Sequence, residues 1–75
     1  MIIKVLGPGC KNCQNLEKNA KEALVLAGKE GEVQKVTDMM EIQKYGIMST
    51  PGLVIDEKVV VSGRVPKAKE IVTFL

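Results

Sequence analysis

The sequence predicts one α/β domain in which a four-stranded mixed sheet carries three helices, in the order β-α-β-α-β-β-α. Two observations predict this class. The chain has 75 residues, which suits one small domain spanning residues 1–75. Its apolar residues recur at helical spacing in some segments and form short β-branched runs in others. Strands separated by helices are expected to pair in parallel, and the last two runs predict an antiparallel hairpin at the edge of the sheet.

The first half of the chain predicts a strand, a long helix and a second strand. Ile2–Leu6 is a short apolar run typical of a buried strand, and Gly7-Pro8-Gly9 ends it. From Lys11 to Ala27 the apolar residues recur at spacings of three and four, and Gly28 suits a C-terminal cap. Glu32–Val36 alternates weakly and predicts the second strand.

The second half predicts a short helix, a hairpin and a final helix. Asp38 and Glu41 have the spacing of a capping box, so we expect a helix from there to Tyr45. Two β-branched runs joined by two acidic residues predict the hairpin, and a proline suited to a first helical turn predicts the last helix. These segments are Leu53–Ile55, Lys58–Val61 and the helix beginning at Pro66.

Composition excludes two function classes. Eleven basic residues against nine acidic ones leave too little positive charge for nucleic acid, and one Phe, one Tyr and no Trp provide no stacking platform. No apolar run approaches the ~18 residues of a membrane span, and the first residues lack the pattern of a signal peptide. We therefore expect a cytoplasmic monomer. With few aromatics, aliphatic side chains must fill the core. Met39, Met40 and Met48 are expected to fill gaps in the core or to lie on a helix face.

The cysteines are the most informative residues, because the only two, Cys10 and Cys13, form a C-x-x-C at the predicted start of the first helix. The unpaired N–H groups of a first helical turn carry partial positive charge and stabilise a thiolate. We therefore expect the pKa of Cys10 to lie below that of a free thiol. A disulfide between them would close too small a loop to stabilise the fold much. The pair predicts redox exchange or soft-metal binding, with two incidental thiols at a helix end as the remaining alternative.

Two separated motifs resemble the thioredoxin fold in its minimal, glutaredoxin-sized form. One is Cys10-Lys11-Asn12-Cys13 at the helix start, and the other is Thr50-Pro51 before the third strand. The stretch MSTPGLVID followed by VVVSGRVP is similar to the second half of short archaeal and bacterial thioredoxin-like, redox-active disulfide proteins. The resemblance implies a thiol–disulfide oxidoreductase that needs no bound cofactor or metal. Its partners would be a disulfide-bearing protein or small molecule and an electron donor such as a flavoprotein reductase.

The resemblance also assigns roles. Cys10 is expected to attack the substrate disulfide, and Cys13 to resolve the mixed disulfide that results. Pro51 is expected to follow a cis bond beside the cysteines, and Thr50 to offer its backbone to an extended substrate segment, as in strand addition. Gly63 is expected to keep the substrate groove open, with a plain strand-ending turn as the alternative.

A soft-metal binding or delivery module is the main alternative function. Carrier domains of ferredoxin-like fold also place a C-x-x-C after a first strand, and two thiolates suit Cu(I). Those domains continue with a hairpin after the first helix, whereas this sequence predicts a helix after the second strand. A closed zinc site needs four ligands, and the chain has no His and two Cys, so only a dimer could pool four thiolates. A thiol sensor using the same pair is the second alternative.

Overall fold

The computed structural model describes residues 1–9, 11–47 and 49–75. Within these residues the chain forms the predicted elements in the predicted order, so the predicted α/β fold class is confirmed. The strands are β1 (Ile2–Leu6), β2 (Glu32–Val36), β3 (Gly52–Ile55) and β4 (Lys58–Ser62). The helices are α1 (Lys11–Ala27), α2 (Met39–Lys44) and α3 (Ala68–Val72). None of the helices in these residues is long and apolar enough to cross a membrane.

The sheet has the strand order β2-β1-β3-β4. β1 and β2 are parallel, as expected, but β3 is antiparallel to β1, and here the expectation of parallel pairing was wrong. Leu6 at the end of β1 pairs with both Val36, the last residue of β2, and Gly52, the first residue of β3. The six residues of α2 span only about 9 Å, too little to carry the chain back along the sheet. β3 therefore starts at the end where β2 stops. The predicted antiparallel hairpin is confirmed.

The alternation of side chains along the strands gives the sheet two apolar faces. On one face the strands pack against α1 and α3, and on the other against α2. The first face carries the larger cluster, which includes Ile3, Val5, Leu16, Leu53 and Ile71. The second is smaller and is built on Leu6, Ile42 and Val54. Burial on both faces fixes the register of the strands. A slip of one residue would move the side chains of each face to the opposite face of the sheet.

The helix ends follow the sequence closely, with one correction. Gly28 ends α1 with φ +65°, and Asp38 caps α2 by accepting a 2.9 Å hydrogen bond from the backbone N–H of Met40. Pro66 does not lie in the first turn of α3, because Lys67 is the N-cap and the proline precedes it. Pro66 is instead buried against the rest of the fold.

Met39 and Met40 take the second of their two expected roles. They lie on α2 and are 52% and 73% exposed, so they are helix-face residues and do not fill the core. The reason is that α2 is short, and Ile42 is the residue it buries. Met48 lies outside the described residues.

A polar cluster lies on the α2 face of the sheet. Lys4 Nζ, on β1, donates hydrogen bonds to the Tyr45 hydroxyl at 2.8 Å and to Glu57 Oε1 at 2.6 Å. The Tyr45 hydroxyl in turn donates to Glu57 Oε2 at 3.3 Å. Glu57 belongs to the turn between β3 and β4, where it and Asp56 have positive φ values of 68° and 48°, as in a type I′ hairpin. The cluster links the centre of β1 to this turn.

Candidate functional site

The candidate site lies at one end of the sheet, where the end of β1, the start of α1 and the start of β3 meet. Pairing of Leu6 with Gly52 brings the two residues next to them, Gly7 and Pro51, close together. The Gly7 N–H donates a 2.9 Å hydrogen bond to the carbonyl oxygen of Val36, which ties the same point to the end of β2. Three strand ends thus fix the position of Gly7.

Cys13 is the buried thiol of the site. It is the third residue of α1 and is 5% exposed. A β-carbon built on Gly7 would lie 2.2 Å from the Cys13 sulfur and 3.9 Å from Pro51 Cα. The sulfur therefore occupies the space of a missing side chain, between the end of β1 and the proline. Cys10, the expected attacking thiol, lies outside the described residues.

Pro51 lies beside this sulfur, and Gly63 contacts Pro51. The Thr50–Pro51 peptide bond is cis, the geometry that the resemblance implies. Pro51 is buried, whereas Thr50 is exposed. The Gly63 N–H donates a 2.8 Å hydrogen bond to the Pro51 carbonyl oxygen. Gly63 has φ +79°, and a β-carbon there would lie 3.0 Å from Ser49 Cβ. The structure thus brings together Cys13, Pro51 and Gly63.

A narrow cleft of about 50 Å³ opens beside the Cys13 thiol. It runs between the start of α1 and the C-terminal end of β2. Its lining residues are Gly7, Gly9, Cys13, Gln14, Lys35 and Thr37. Among the described residues, no group of three or more His, Cys, Asp or Glu side chains could hold a metal ion.

Two features of the site were not found from the sequence. Gly7 was interpreted only as the end of a strand, because the room that it leaves for the Cys13 sulfur is a matter of packing between β1 and α1. Lys35 was part of a weakly alternating strand, and nothing local distinguished it from other surface lysines. Its ammonium lies 3.1 Å from Glu17 Oε2 on α1, a contact that exists only in the packed structure.

Comparisons with known proteins agree with this geometry. A family model described as a thioredoxin domain matches residues 1–75. A thioredoxin of Methanothermobacter thermautotrophicus is 41% identical over 75 residues, covering 100% of this chain and 97% of the relative. A thioredoxin of Methanocaldococcus jannaschii is 35% identical over 71 residues, covering 95% of this chain and 81% of the relative. The chain belongs to the thioredoxin family.

Proposed function

We propose that the protein is a thiol–disulfide oxidoreductase in which Cys10 and Cys13 exchange a dithiol for a disulfide with protein or small-molecule substrates. The observation that carries the proposal is the position of the buried Cys13 sulfur, packed on Gly7 beside Pro51. Membership of the thioredoxin family supports general redox activity on disulfides. The assignment of individual roles to the cysteines rests on their positions in the C-x-x-C.

The reaction begins at Cys10. Its thiolate attacks one sulfur of the substrate disulfide, a Cys10–substrate S–S bond forms, and the other substrate sulfur leaves with the electron pair. The Cys13 thiolate then attacks the Cys10 sulfur. A Cys10–Cys13 disulfide forms, and the second substrate sulfur leaves as a thiolate that water protonates. The substrate gains two electrons, and the cysteine pair loses them.

Thr50, Pro51 and Gly63 are the proposed substrate-binding residues. Thr50 is exposed next to the buried proline, and its proposed role is to form backbone hydrogen bonds with an extended substrate segment. The hydrogen bond from Gly63 to the Pro51 carbonyl holds the end of β4 close to this loop. The absence of a side chain at position 63, where a β-carbon would lie 3.0 Å from Ser49 Cβ, lets β4 end close against this loop.

Thioredoxins act on disulfide substrates and are reduced by a reductase, and we propose the same two classes of partner for this protein, acting as a cytoplasmic monomer. A reductase-type electron donor would return the Cys10–Cys13 disulfide to the dithiol. Thiol sensing would use the same cysteine pair, whereas soft-metal delivery is less well supported. The helix α2 after β2 is the order expected of the redox fold, whereas the metal-carrier fold would place a hairpin of strands after the first helix.

The test is to trap the mixed disulfide. A Cys13→Ser variant is mixed with a substrate protein that has one accessible disulfide. It should accumulate a covalent complex with that substrate through Cys10. The matched Cys10→Ser variant should form little complex and show no turnover. Turnover by Cys10→Ser at the unsubstituted rate would overturn the proposal.

A further inference from the structure

A short loop, residues 63–67, connects β4 to α3, and we call it the Gly63 loop. Its first residue contacts the candidate site, because the Gly63 N–H donates a 2.8 Å hydrogen bond to the Pro51 carbonyl oxygen. Its other end is fixed by burial, because the Pro66 side chain is less than 2% exposed. Three residue steps separate Gly63 from Pro66 and span at most about 11 Å. A displacement of Pro66 is therefore transmitted to the contact with Pro51.

Asn19 on α1 holds the buried end of this loop. Its side-chain Nδ2 donates a partly buried hydrogen bond of 2.9 Å to the Pro66 carbonyl oxygen. The hydrogen bonds of α3 begin one residue later, at the carbonyl of Lys67, so the Pro66 carbonyl is not part of that helix. Removal of the Asn19 amide would leave a partly buried carbonyl without this donor, which is costly.

An ion pair in the same loop does not reach α1. It joins Arg64 to Glu70, whose side chains are 55% and 40% exposed. The pair links the loop to α3 alone, and water screens exposed pairs of this kind. Asn19, in contrast, gives the Gly63 loop a polar link to the helix that carries Cys13.

This link connects the loop to the thiol through one rigid element. Cys13 lies in the first turn of α1, and Asn19 follows on the same helix, about 9 Å further along its axis. The helix therefore carries the Cys13 sulfur near its start and the anchor of the Gly63 loop beyond it. The loop in turn contacts Pro51, beside which the sulfur lies.

We propose that Asn19 is a positioning residue that, by holding Pro66, keeps the Gly63 loop against Pro51 at a fixed distance from the thiol. The loop and Pro51 are then in place before an extended substrate segment binds, which lowers the cost of ordering them on binding. This inference rests on the proposed function and deepens it. Because the Asn19 amide bonds to the loop, we expect it to act on the binding of extended substrates and not on the exchange chemistry.

The experiment compares two disulfides in their reaction with the reduced full chain. One is a linear peptide dimer joined by a single disulfide, which can bind as an extended segment. The other is hydroxyethyl disulfide, which has no peptide backbone. We expect Asn19→Ala to raise the half-saturating concentration of the peptide about twofold to tenfold, as for loss of one hydrogen bond. The maximal rate with the peptide, and the rate with hydroxyethyl disulfide, should not change.

Two further variants separate positioning from stability. Asn19→Asp has nearly the same size but places an acceptor opposite the Pro66 carbonyl, so it should weaken peptide binding at least as much as Asn19→Ala. Lys18→Gly is the matched control, because Lys18 is exposed on the same helix and glycine there weakens the helix without removing the bond to Pro66. The control should leave the half-saturating concentration of the peptide unchanged.

Amide hydrogen exchange gives a readout that does not depend on activity. Asn19→Ala should speed exchange of the Gly63 amide about twofold to tenfold relative to the amides of β1, because local opening of the loop becomes easier. Lys18→Gly should leave this ratio unchanged. An equal loss of reactivity with both disulfides, or an unchanged Gly63 amide in Asn19→Ala, would overturn the inference.

The inference and the proposed function can fail separately. If the unsubstituted protein reacts with both disulfides and Asn19→Ala behaves in the same way, the inference fails and the proposed function stands. If the unsubstituted protein reacts with neither disulfide, the proposed function fails. The exchange rate of the Gly63 amide then decides alone whether Asn19 positions the loop.

Discussion

The sulfur of Cys13 fills the space where a side chain on Gly7 would lie, since a β-carbon at position 7 would come within 2.2 Å of it. The two residues belong to different elements, Gly7 to the end of β1 and Cys13 to the first turn of α1. Their contact therefore couples the position of the thiol to the sheet. It also places the sulfur beside Pro51, whose Cα lies 3.9 Å from the same point.

A Gly7→Ala substitution should destabilise the protein by about 1–3 kcal/mol, the usual cost of overpacking a filled site. The overlap is with the Cys13 sulfur, so the same substitution in a Cys13→Ala background should cost much less. Urea unfolding of the four proteins under reducing conditions measures the coupling. An equal cost in both backgrounds would show that the sulfur is not what excludes a side chain at position 7.

Gly63→Ala should reduce both stability and disulfide exchange. Its positive φ of +79° disfavours any side chain, and the new β-carbon would lie 3.0 Å from Ser49 Cβ. Gly46→Ala is the matched control, because Gly46 has φ +74° with nothing within 4 Å. The control should lose about 1 kcal/mol of unfolding free energy and keep its rate of exchange. A Gly63→Ala protein with the control's stability and full activity would argue against the proposed substrate-binding role.

The Lys4–Glu57 pair should make stability depend on pH. The hydrogen bond from Lys4 lowers the pKa of Glu57 below its ordinary 4.5, and the same bond, together with that to Tyr45, raises the pKa of Lys4 above 10.5. A lowered carboxyl pKa stabilises the fold above 4.5, and this contribution is lost as pH falls through the lowered value. A raised lysine pKa stabilises below 10.5 and is lost as pH rises through the raised value.

The measurement is the difference in unfolding free energy between the unsubstituted protein and Glu57→Gln across pH. This difference in unfolding free energy should be largest between pH 4.5 and pH 10.5. It should shrink in acid and in strong alkali. Glu41→Gln, which breaks the exposed pair with Lys44, should show a smaller difference at neutral pH. A constant difference for Glu57→Gln across the whole range would rule out this linkage.

The two thiols should differ in reactivity. Cys13 is 5% exposed, so an alkylating reagent should reach it slowly, whereas Cys10 is expected to be the faster thiol with a pKa below that of a free cysteine. Brief alkylation of the reduced protein at several pH values, followed by peptide mass mapping, gives both rates. Faster modification of Cys13 would reverse the proposed roles of attacking and resolving thiol.

Local patterns were enough to predict the elements. The bounds of β1, α1 and β2 agree with the sequence prediction to the residue, because each has its own apolar pattern and glycine or proline breaks separate β1 from α1 and α1 from β2. The direction of β3 was mispredicted, because it depends on how far α2 carries the chain, which is a matter of length rather than pattern. The sequence left open whether Met39 and Met40 fill the core or lie on a helix face, and the small size of α2, which buries Ile42, decides for the helix face.

The residues of the site that belong to a recognisable sequence motif were predicted from the sequence. Cys13, Pro51 and Gly63 were singled out from the C-x-x-C and the resemblance, and the structure places them together. The contact between Gly7 and Cys13 and the ion pair between Glu17 and Lys35 were not predicted. Both join residues on different elements, and no single segment of sequence carries information about such contacts.

The central claim is that Cys10 and Cys13 form a reversible redox pair, and an equilibrium redox titration followed by intact mass tests it most directly. The protein is equilibrated in thiol–disulfide buffers of graded potential, alkylated and weighed, with and without Cu(I) or Zn(II). We predict a single reversible two-electron transition in which both of the chain's two thiols become protected together, with little change when metal is added. Tight stoichiometric metal binding, with no reversible loss of the thiols, would contradict the account.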